Sequence, residues 1–196
     1  ISSTEMKIPE KIIKTLPDNI KEPFMYWRNY LEKNISFNLT GSDIHTKEHA
    51  ERVLLYALLI GNQILDNTRD ELTALAHAAI FHDTKRLDDW LDVGHGARAA
   101  AYYLKFCDEN TNITYLDTAY LIMKYHDYDD NYGKEAIRKT CIKKTEQVIQ
   151  VYQIFKDADA LDRFRLGPTA LDARFLRTQA ATELINFAQE VVKQTS

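Results

Sequence analysis

Little in this 196-residue chain would interrupt a helix or crosslink a fold. Glycine occurs six times and proline four times, which leaves few breaks and favours long helices. The two cysteines, Cys107 and Cys141, are too few for a disulfide framework, so we expect reduced thiols and a cytoplasmic protein. No apolar run reaches the roughly 18 residues of a membrane span, which predicts no membrane association.

Charge of one sign is not in large excess either. The 25 basic and 29 acidic residues give a net charge of −4, which argues against a nucleic acid or an anionic membrane as a partner. A local basic pocket for a small anion is compatible with this balance, and so is a homo-oligomer. The start at residues 1–5 resembles neither a signal peptide nor an initiator sequence, so we expect either a chain trimmed at this end or a piece of a longer one.

Apolar residues recur at helical spacing through most of the chain. Residues 1–21 are polar and contain Pro9 and Pro17, which predicts an N-terminal segment with a short helix and a loop, ahead of a single domain over residues 22–196. Pro23 is expected to begin the first long helix. Further helices are expected over residues 46–65, 71–81, 95–106, 114–125, 145–155 and 178–192, and loops over 38–43, 84–94 and 127–139. No alternating run is typical of a strand, so the sequence predicts an all-α, compact helical bundle.

One dipeptide, His82-Asp83, closes an otherwise apolar helix over residues 75–81. These polar groups contribute little to a core, but neighbouring residues at a helix end can both reach one cavity and hold a metal ion. Comparable groups recur at intervals of 13 to 33 residues, at His49, His95, His126 and Asp159. Mixed imidazole and carboxylate ligands suit Mn, Fe, Co, Ni or Zn, and the lack of cysteine ligands favours a catalytic over a structural site.

Three segments in this order resemble the HD-domain superfamily of metal-dependent phosphohydrolases. Residues 44–53 contain a His-x-x-Arg-Val motif like that of the family's first helix, the dipeptide at 82–83 matches the signature pair, and residues 156–162 contain an Asp-Ala-Asp-x-Leu-Asp segment. The resemblance covers roughly residues 44–176. It implies a helical bundle of the HD-domain type around a central metal site, with the ligands His49, His82, Asp83 and Asp159.

A narrower resemblance covers residues 82–96. This stretch is similar to a largely uncharacterised bacterial HD subgroup that has a basic pair and an aspartate after the dipeptide, followed by His-Gly. The subgroup implies positions but no substrate. The chain departs from its pattern at Ala160, where a basic residue is usual, and at Trp90, where a small residue is usual. Both differences are expected to reshape the substrate mouth.

The number of metal ions depends on His95 and His126. Some HD proteins carry two additional histidines between the dipeptide and the final aspartate, and they bind two metals that the signature aspartate bridges. The order of ligands in this chain matches that six-ligand pattern. In mononuclear members, a histidine near the metal instead donates a proton or contacts phosphate, so one and two divalent metal ions both remain open.

Three residues that follow the dipeptide are candidates for catalysis. Asp89 is a candidate to orient or deprotonate the attacking water, and the alternative is a solvated turn residue or a helix cap. Lys85 and Arg86 are candidates to bind phosphate, which arginine does through two parallel hydrogen bonds. The alternative for both is a surface charge.

Three further residues each lie about one helical turn from a candidate ligand. Arg52 follows His49 and is expected to contact the substrate, or else to brace Asp83 or Asp159. By the same spacing from His95, Arg98 is expected to contact the substrate or else to brace an acid. His45, four residues before His49, is expected to line the substrate pocket.

The leading functional hypothesis is hydrolysis of a small phosphate ester, with nucleotides as the first class to test. It combines the metal-binding pattern with nearby basic residues. One alternative is a di-iron oxygenase of the HD type, which depends on His95 and His126. Another is a catalytically silent module that keeps the metal site only to bind a nucleotide.

Overall fold

In the computed structural model, residues 7–39, 46–66 and 69–195 are described, and all regular structure within these ranges is helical. The α-helices, numbered α1 to α10, are Glu10–Ile13, Asp18–Asn34, Lys47–Ile64, Arg69–Phe81, His95–Glu109, Asp117–Lys124, Asp130–Thr140, Thr145–Leu161, Gln179–Glu183 and Ile185–Thr195. Two 3₁₀-helices, Asp162–Leu166 and Ala173–Phe175, lie between α8 and α9. The all-α prediction is confirmed. Among the described residues, no helix is long and apolar enough to cross a membrane.

Helix α3 is the centre of the bundle and packs against α2, α4 and α8. Its residues from position 49 to 58 are all buried, as expected for a helix that is covered on every side. Helix α4 packs closely against it through short side chains, among which Ala74, Ala76, Ala78 and Ala79 are fully buried. These two helices therefore form a rigid base, and their ends carry the first candidate ligands.

The segment before position 22 packs into the same core as the rest of the chain. Ile8 and Ile13 are buried, and α2 crosses the boundary that the sequence suggests between residues 21 and 22. The prediction that Pro23 begins the first long helix is wrong, because Pro17 already ends the preceding turn in an extended conformation and α2 starts at Asp18. Pro23 lies within the second turn, where its missing N–H removes one helical hydrogen bond.

The expected loop over residues 127–139 is also largely helical. Helix α7 begins at Asp130 because Asp129 caps it, accepting hydrogen bonds from the backbone N–H groups of Asn131 and Tyr132. Helix α8 continues to Leu161, six residues beyond the predicted end. The single helix expected over residues 178–192 is divided into α9 and α10. The extension of α8 matters most, because it brings the last candidate ligand onto a helix end.

A buried carboxylate attaches the N-terminal segment to α3. Glu51 is 4% exposed and accepts a hydrogen bond of 2.5 Å from the backbone N–H of Ile8. Burial raises the pKa of Glu51 from 4.5 to about 7, although the Ile8 hydrogen bond and the nearby Arg28 and Arg52 oppose this shift. The folded state therefore holds this proton more tightly than the unfolded chain does.

We expect this carboxyl to lower stability as pH rises from about 4.5 to about 7, because a raised carboxyl pKa favours the folded state only while the group is protonated. Glu51→Gln keeps the oxygen that accepts from Ile8 and removes the ionisation. The variant should gain stability relative to the wild type by about 2–3 kcal/mol between pH 5 and pH 8, measured by urea unfolding at each pH. Glu109→Gln, on the exposed end of α5, is the control. Parallel pH profiles for Glu51→Gln and the wild type would contradict this.

Candidate metal centre

Five places at or near helix ends deliver six imidazole and carboxylate groups to one point in the bundle. The cluster is formed by the first turn of α3, the end of α4, the start of α5, the residue two positions after α6 and the last turn of α8. Its members are His49, His82, Asp83, His95, His126 and Asp159. All are buried except Asp159, which is partly exposed. The six candidate ligands that the sequence predicts therefore come together in space.

The first half of the cluster contains two imidazoles and two carboxylate oxygens. His49 Nε2 lies 3.1 Å from Asp159 Oδ1 and 3.4 Å from Asp83 Oδ2. His82 Nε2 lies 3.5 Å from each of the same two oxygens and 3.3 Å from His49 Nε2. Ligand atoms about 2.1 Å from a shared ion are separated by roughly 3.0–3.5 Å. These distances therefore fit one cation with four protein ligands.

The second half uses the other oxygen of the same aspartate. Asp83 Oδ1 lies 3.3 Å from His95 Nε2 and 3.9 Å from His126 Nε2, and these two nitrogens are 3.0 Å apart. The two oxygens of Asp83 therefore face two different pairs of imidazoles. This is the arrangement that a carboxylate bridging two cations requires.

The four imidazoles are held in one tautomer by hydrogen bonds on their outer sides. Nδ1 of His82, His95 and His126 each donates to a backbone carbonyl oxygen, and Nδ1 of His49 donates to the carboxylate of Asp162, at 2.6–2.8 Å. Carbonyls and carboxylates only accept, so the proton lies on Nδ1. In the neutral rings every Nε2 then presents a lone pair to the centre.

The converging lone pairs and carboxylates repel one another unless a positive charge lies between them. Burial by itself lowers the pKa of His82, but Asp83 and Asp159 outweigh it and raise this pKa to about 9. The same imidazoles hold the pKa of Asp83 well below its usual range, against the effect of burial. A proton on His82 reduces part of this repulsion. A divalent cation would reduce more of it, since borderline metals favour imidazole and carboxylate ligands.

Asp162 is a site residue to which the sequence reasoning gave no role. It is fully buried, and its Oδ2 accepts from His49 Nδ1 while its Oδ1 accepts from Arg52 Nε at 2.7 Å. Arg52 therefore braces a carboxylate, as one of the alternatives proposed, but the partner is Asp162 and not Asp83 or Asp159. An acid directly after Leu161 and two positions before Phe164 was the available signal.

Of the other polar residues predicted for the site, some line the cavity over the cluster and others lie outside it. Arg86 and Asp89 line the cavity over the cluster. Lys85 instead extends toward Asn38 and lies over the ring of Tyr102. These two contacts place Lys85 outside that cavity.

Arg98 is also a supporting residue and not a lining one. It makes a bidentate ion pair with Asp92 at 2.6–2.7 Å, and the Asp92 carbonyl accepts from His95 Nδ1. The predicted substrate contact of Arg98 is therefore replaced by a role in fixing the loop that orients His95. The prediction for His45 lies outside the described residues.

Asp127 is another site residue without a predicted role, because it opens the acidic run expected to be a loop over residues 127–139. Its side chain is only 5% exposed, and its Oδ2 accepts from the Gly94 backbone N–H while Oδ1 faces Gly96. Because acidic runs are usually solvated, the sequence offers no sign that this one closes over the start of α5. Asp127 lines the same cavity as the cluster.

The cavity over the cluster has a volume of about 460 Å³. A neighbouring cavity of about 440 Å³ shares Asp159, Arg163 and Arg165 with it. Trp90 lines the first and Ala160 the second, so the two departures from the HD subgroup both lie at the cleft. The sequence analysis missed the two arginines, which lie four and six residues after Asp159, in the first 3₁₀-helix.

No family model, no curated protein and no solved structure matches this chain. The interpretation of the cluster therefore depends on the motifs and geometry of the chain itself.

We expect Asp162→Asn to weaken metal binding by about 10- to 100-fold, because residues that orient a ligand from its outer side typically contribute this much. The substitution keeps the shape of Asp162 but removes the charge that orients His49 and neutralises Arg52. Affinity for Zn²⁺ or Mn²⁺ is measured by competition with a chelator, and circular dichroism checks the fold. Asp108→Asn, exposed on α5, is the matched control. Equal affinities in both variants would exclude this role for Asp162.

Gly96 permits the close approach of α5 to the end of α6. A Cβ atom there would lie 2.5 Å from Asp127 Oδ1 and 2.6 Å from the Met123 carbonyl oxygen. We expect Gly96→Ala to separate His95 from His126, and so to lower the number of Co²⁺ ions bound per chain while the His49 group still binds. Elemental analysis after dialysis measures this number. Ala101→Ser, on the exposed side of the same helix, is the control, and an unchanged number would contradict the expectation.

Proposed function

We propose that this protein is a metal-dependent phosphohydrolase of the HD type that acts on a small phosphate ester, with nucleotides as the first candidates. The observation that carries the proposal is Asp83, whose two oxygens face separate pairs of imidazoles on the floor of a cavity lined by arginine. A buried donor set of this composition suits catalytic first-row metals. The adjacent guanidinium groups suit an anionic substrate.

The proposal assigns two divalent ions to the cluster. One would be held by His49, His82, Asp83 and Asp159, and the other by His95, His126 and the second oxygen of Asp83. The ligand separations and the single tautomer of the four rings support this assignment. Such ions, when bound, lower the pKa of coordinated water and neutralise charge on phosphoryl oxygens.

Arg86 is the residue best placed to hold the scissile phosphate. It is 8% exposed, and its guanidinium is fixed by the carbonyl oxygens of Asp88 and Trp90. Within the described ranges, no carboxylate lies within ion-pair distance of this guanidinium. A buried cation without an acidic partner is costly, and a phosphate bound beside it would supply the missing negative charge.

Asp89 supplies a carboxylate on the wall of the same cavity. We assign it the acceptance of a proton from the attacking water, which requires only that a carboxylate reach the water within hydrogen-bond distance. Trp90, which is 84% exposed beside it, forms part of the mouth.

The direct test is phosphate release from a panel of nucleotides by protein loaded with Mn²⁺, Co²⁺, Ni²⁺ or Fe²⁺. We expect release with at least one metal and its reduction to background in His82→Ala and Asp83→Ala, because each removes a ligand. Asp108→Asn should retain the wild-type rate. Absence of release with every metal would overturn the proposal, and tight nucleotide binding without release would instead favour a catalytically silent binding module.

The bridging position of Asp83 also favours a second candidate, a di-iron oxygenase of the HD type. This activity requires two iron ions per chain, whereas hydrolysis does not require iron. Iron content of protein purified without added metal, together with an electron paramagnetic resonance signal from a mixed-valent pair, would support the oxygenase. A single metal ion per chain would exclude it.

A further inference from the structure

The cavity over the metal cluster continues into a second one. The two share Asp159, Arg163 and Arg165, so they form one cleft that extends from His95 and His126 past the end of α8. The second part reaches Phe175 at the end of the second 3₁₀-helix. This cleft extends beyond the cluster of candidate ligands at its floor, so a substrate has room to extend beyond the phosphate that is released.

Two of the four basic side chains that line the second part, Lys156 and Arg177, are paired with acids. Lys156 Nζ lies 2.6 Å from an Asp130 oxygen. Arg177 pairs with Asp130 at 2.7 Å and with the fully buried Asp157 at 3.0 Å. These ion pairs stabilise the packing of α7 and α8, and they weaken the attraction of Lys156 and Arg177 for an anionic ligand.

Arg163 differs from these neighbours. Its Nε donates to the Ala170 carbonyl oxygen at 3.0 Å, which fixes the guanidinium at the junction of the two cavities. In the described part of the chain, no carboxylate lies within ion-pair distance of it. Arg165, whose side chain is 11% exposed, lines the same junction, but its Nη1 lies 3.9 Å from the Asp162 carboxylate and donates to the Asp162 carbonyl oxygen. Arg163 is therefore the cation at the junction that no described carboxylate balances.

We propose that Arg163 forms a subsite for a second anionic group of the substrate. This inference rests on the proposed phosphohydrolase function, in which Arg86 holds the phosphate that is released. The substrate would then carry a second phosphate or a carboxylate on the part that extends past Asp159. A guanidinium binds either group through two parallel hydrogen bonds.

The test uses ligands that cannot be hydrolysed, so binding is measured without turnover. Isothermal titration of the Mn²⁺-loaded protein compares methylphosphonate with two series whose anionic groups are separated by two to six carbons, the phosphonoalkanoates and the α,ω-alkanediphosphonates. We expect at least one two-anion ligand to bind about tenfold more tightly than methylphosphonate, since a hydrogen-bonded charged group contributes about this much. A preference confined to the diphosphonates identifies phosphate as the second group, and a preference for the phosphonoalkanoates identifies carboxylate.

Arg163→Gln should remove this preference and leave methylphosphonate binding unchanged. Arg138→Gln, an exposed arginine paired with Glu135 outside the cleft, should retain it. Equal affinities for all ligands in the wild type, or a preference that survives in Arg163→Gln, would overturn the subsite. Neither result depends on phosphate release, whose absence would overturn the proposed function instead.

Discussion

The orientation of the four candidate histidine ligands depends on hydrogen bonds on the outer sides of their rings. Each of the four imidazoles donates its Nδ1 proton outward to a fixed acceptor, so each Nε2 lone pair points inward. Three of these acceptors are backbone carbonyls. Those of Ala79 and Met123 lie in the last turns of α4 and α6, where the helix leaves carbonyl groups without its own hydrogen bonds, and that of Asp92 lies in the loop before α5. The positions of the helices therefore determine both the direction and the protonation of the candidate ligands.

This dependence explains why the cluster is formed at helix ends. His82 follows the last turn of α4, and its Nδ1 donates back to the Ala79 carbonyl. His95 opens α5, where Gly94 adopts a left-handed conformation with φ of 95° and starts the helix. Gly96 then allows contact with the end of α6. A ring in the middle of a helix would have no such free carbonyl beside it, and its orientation would depend on packing alone.

The sequence predicts the parts of this arrangement that depend on local pattern. Helix α3 begins and ends within one residue of its predicted bounds, because its apolar periodicity is continuous. The six candidate ligands are predicted from residue type, spacing and resemblance, and they come together in space. Contacts between residues far apart in the sequence are harder to predict. Arg52 and Asp162, for example, are 110 positions apart. No local pattern distinguishes an arginine that braces a carboxylate from one that faces a substrate.

Pairing of charges distinguishes the arginines at the cleft from one another, in a chain with a net charge of −4. Two acids near the site are paired with arginines: Asp162 with Arg52, and Asp130 with Arg177. Arginines paired in this way have little attraction for a ligand. A guanidinium such as that of Arg86, which is fixed by carbonyl oxygens instead of carboxylates, keeps its full charge. Any attraction of this cleft for an anion therefore depends on which arginines lack an acidic partner, and not on the total charge of the chain.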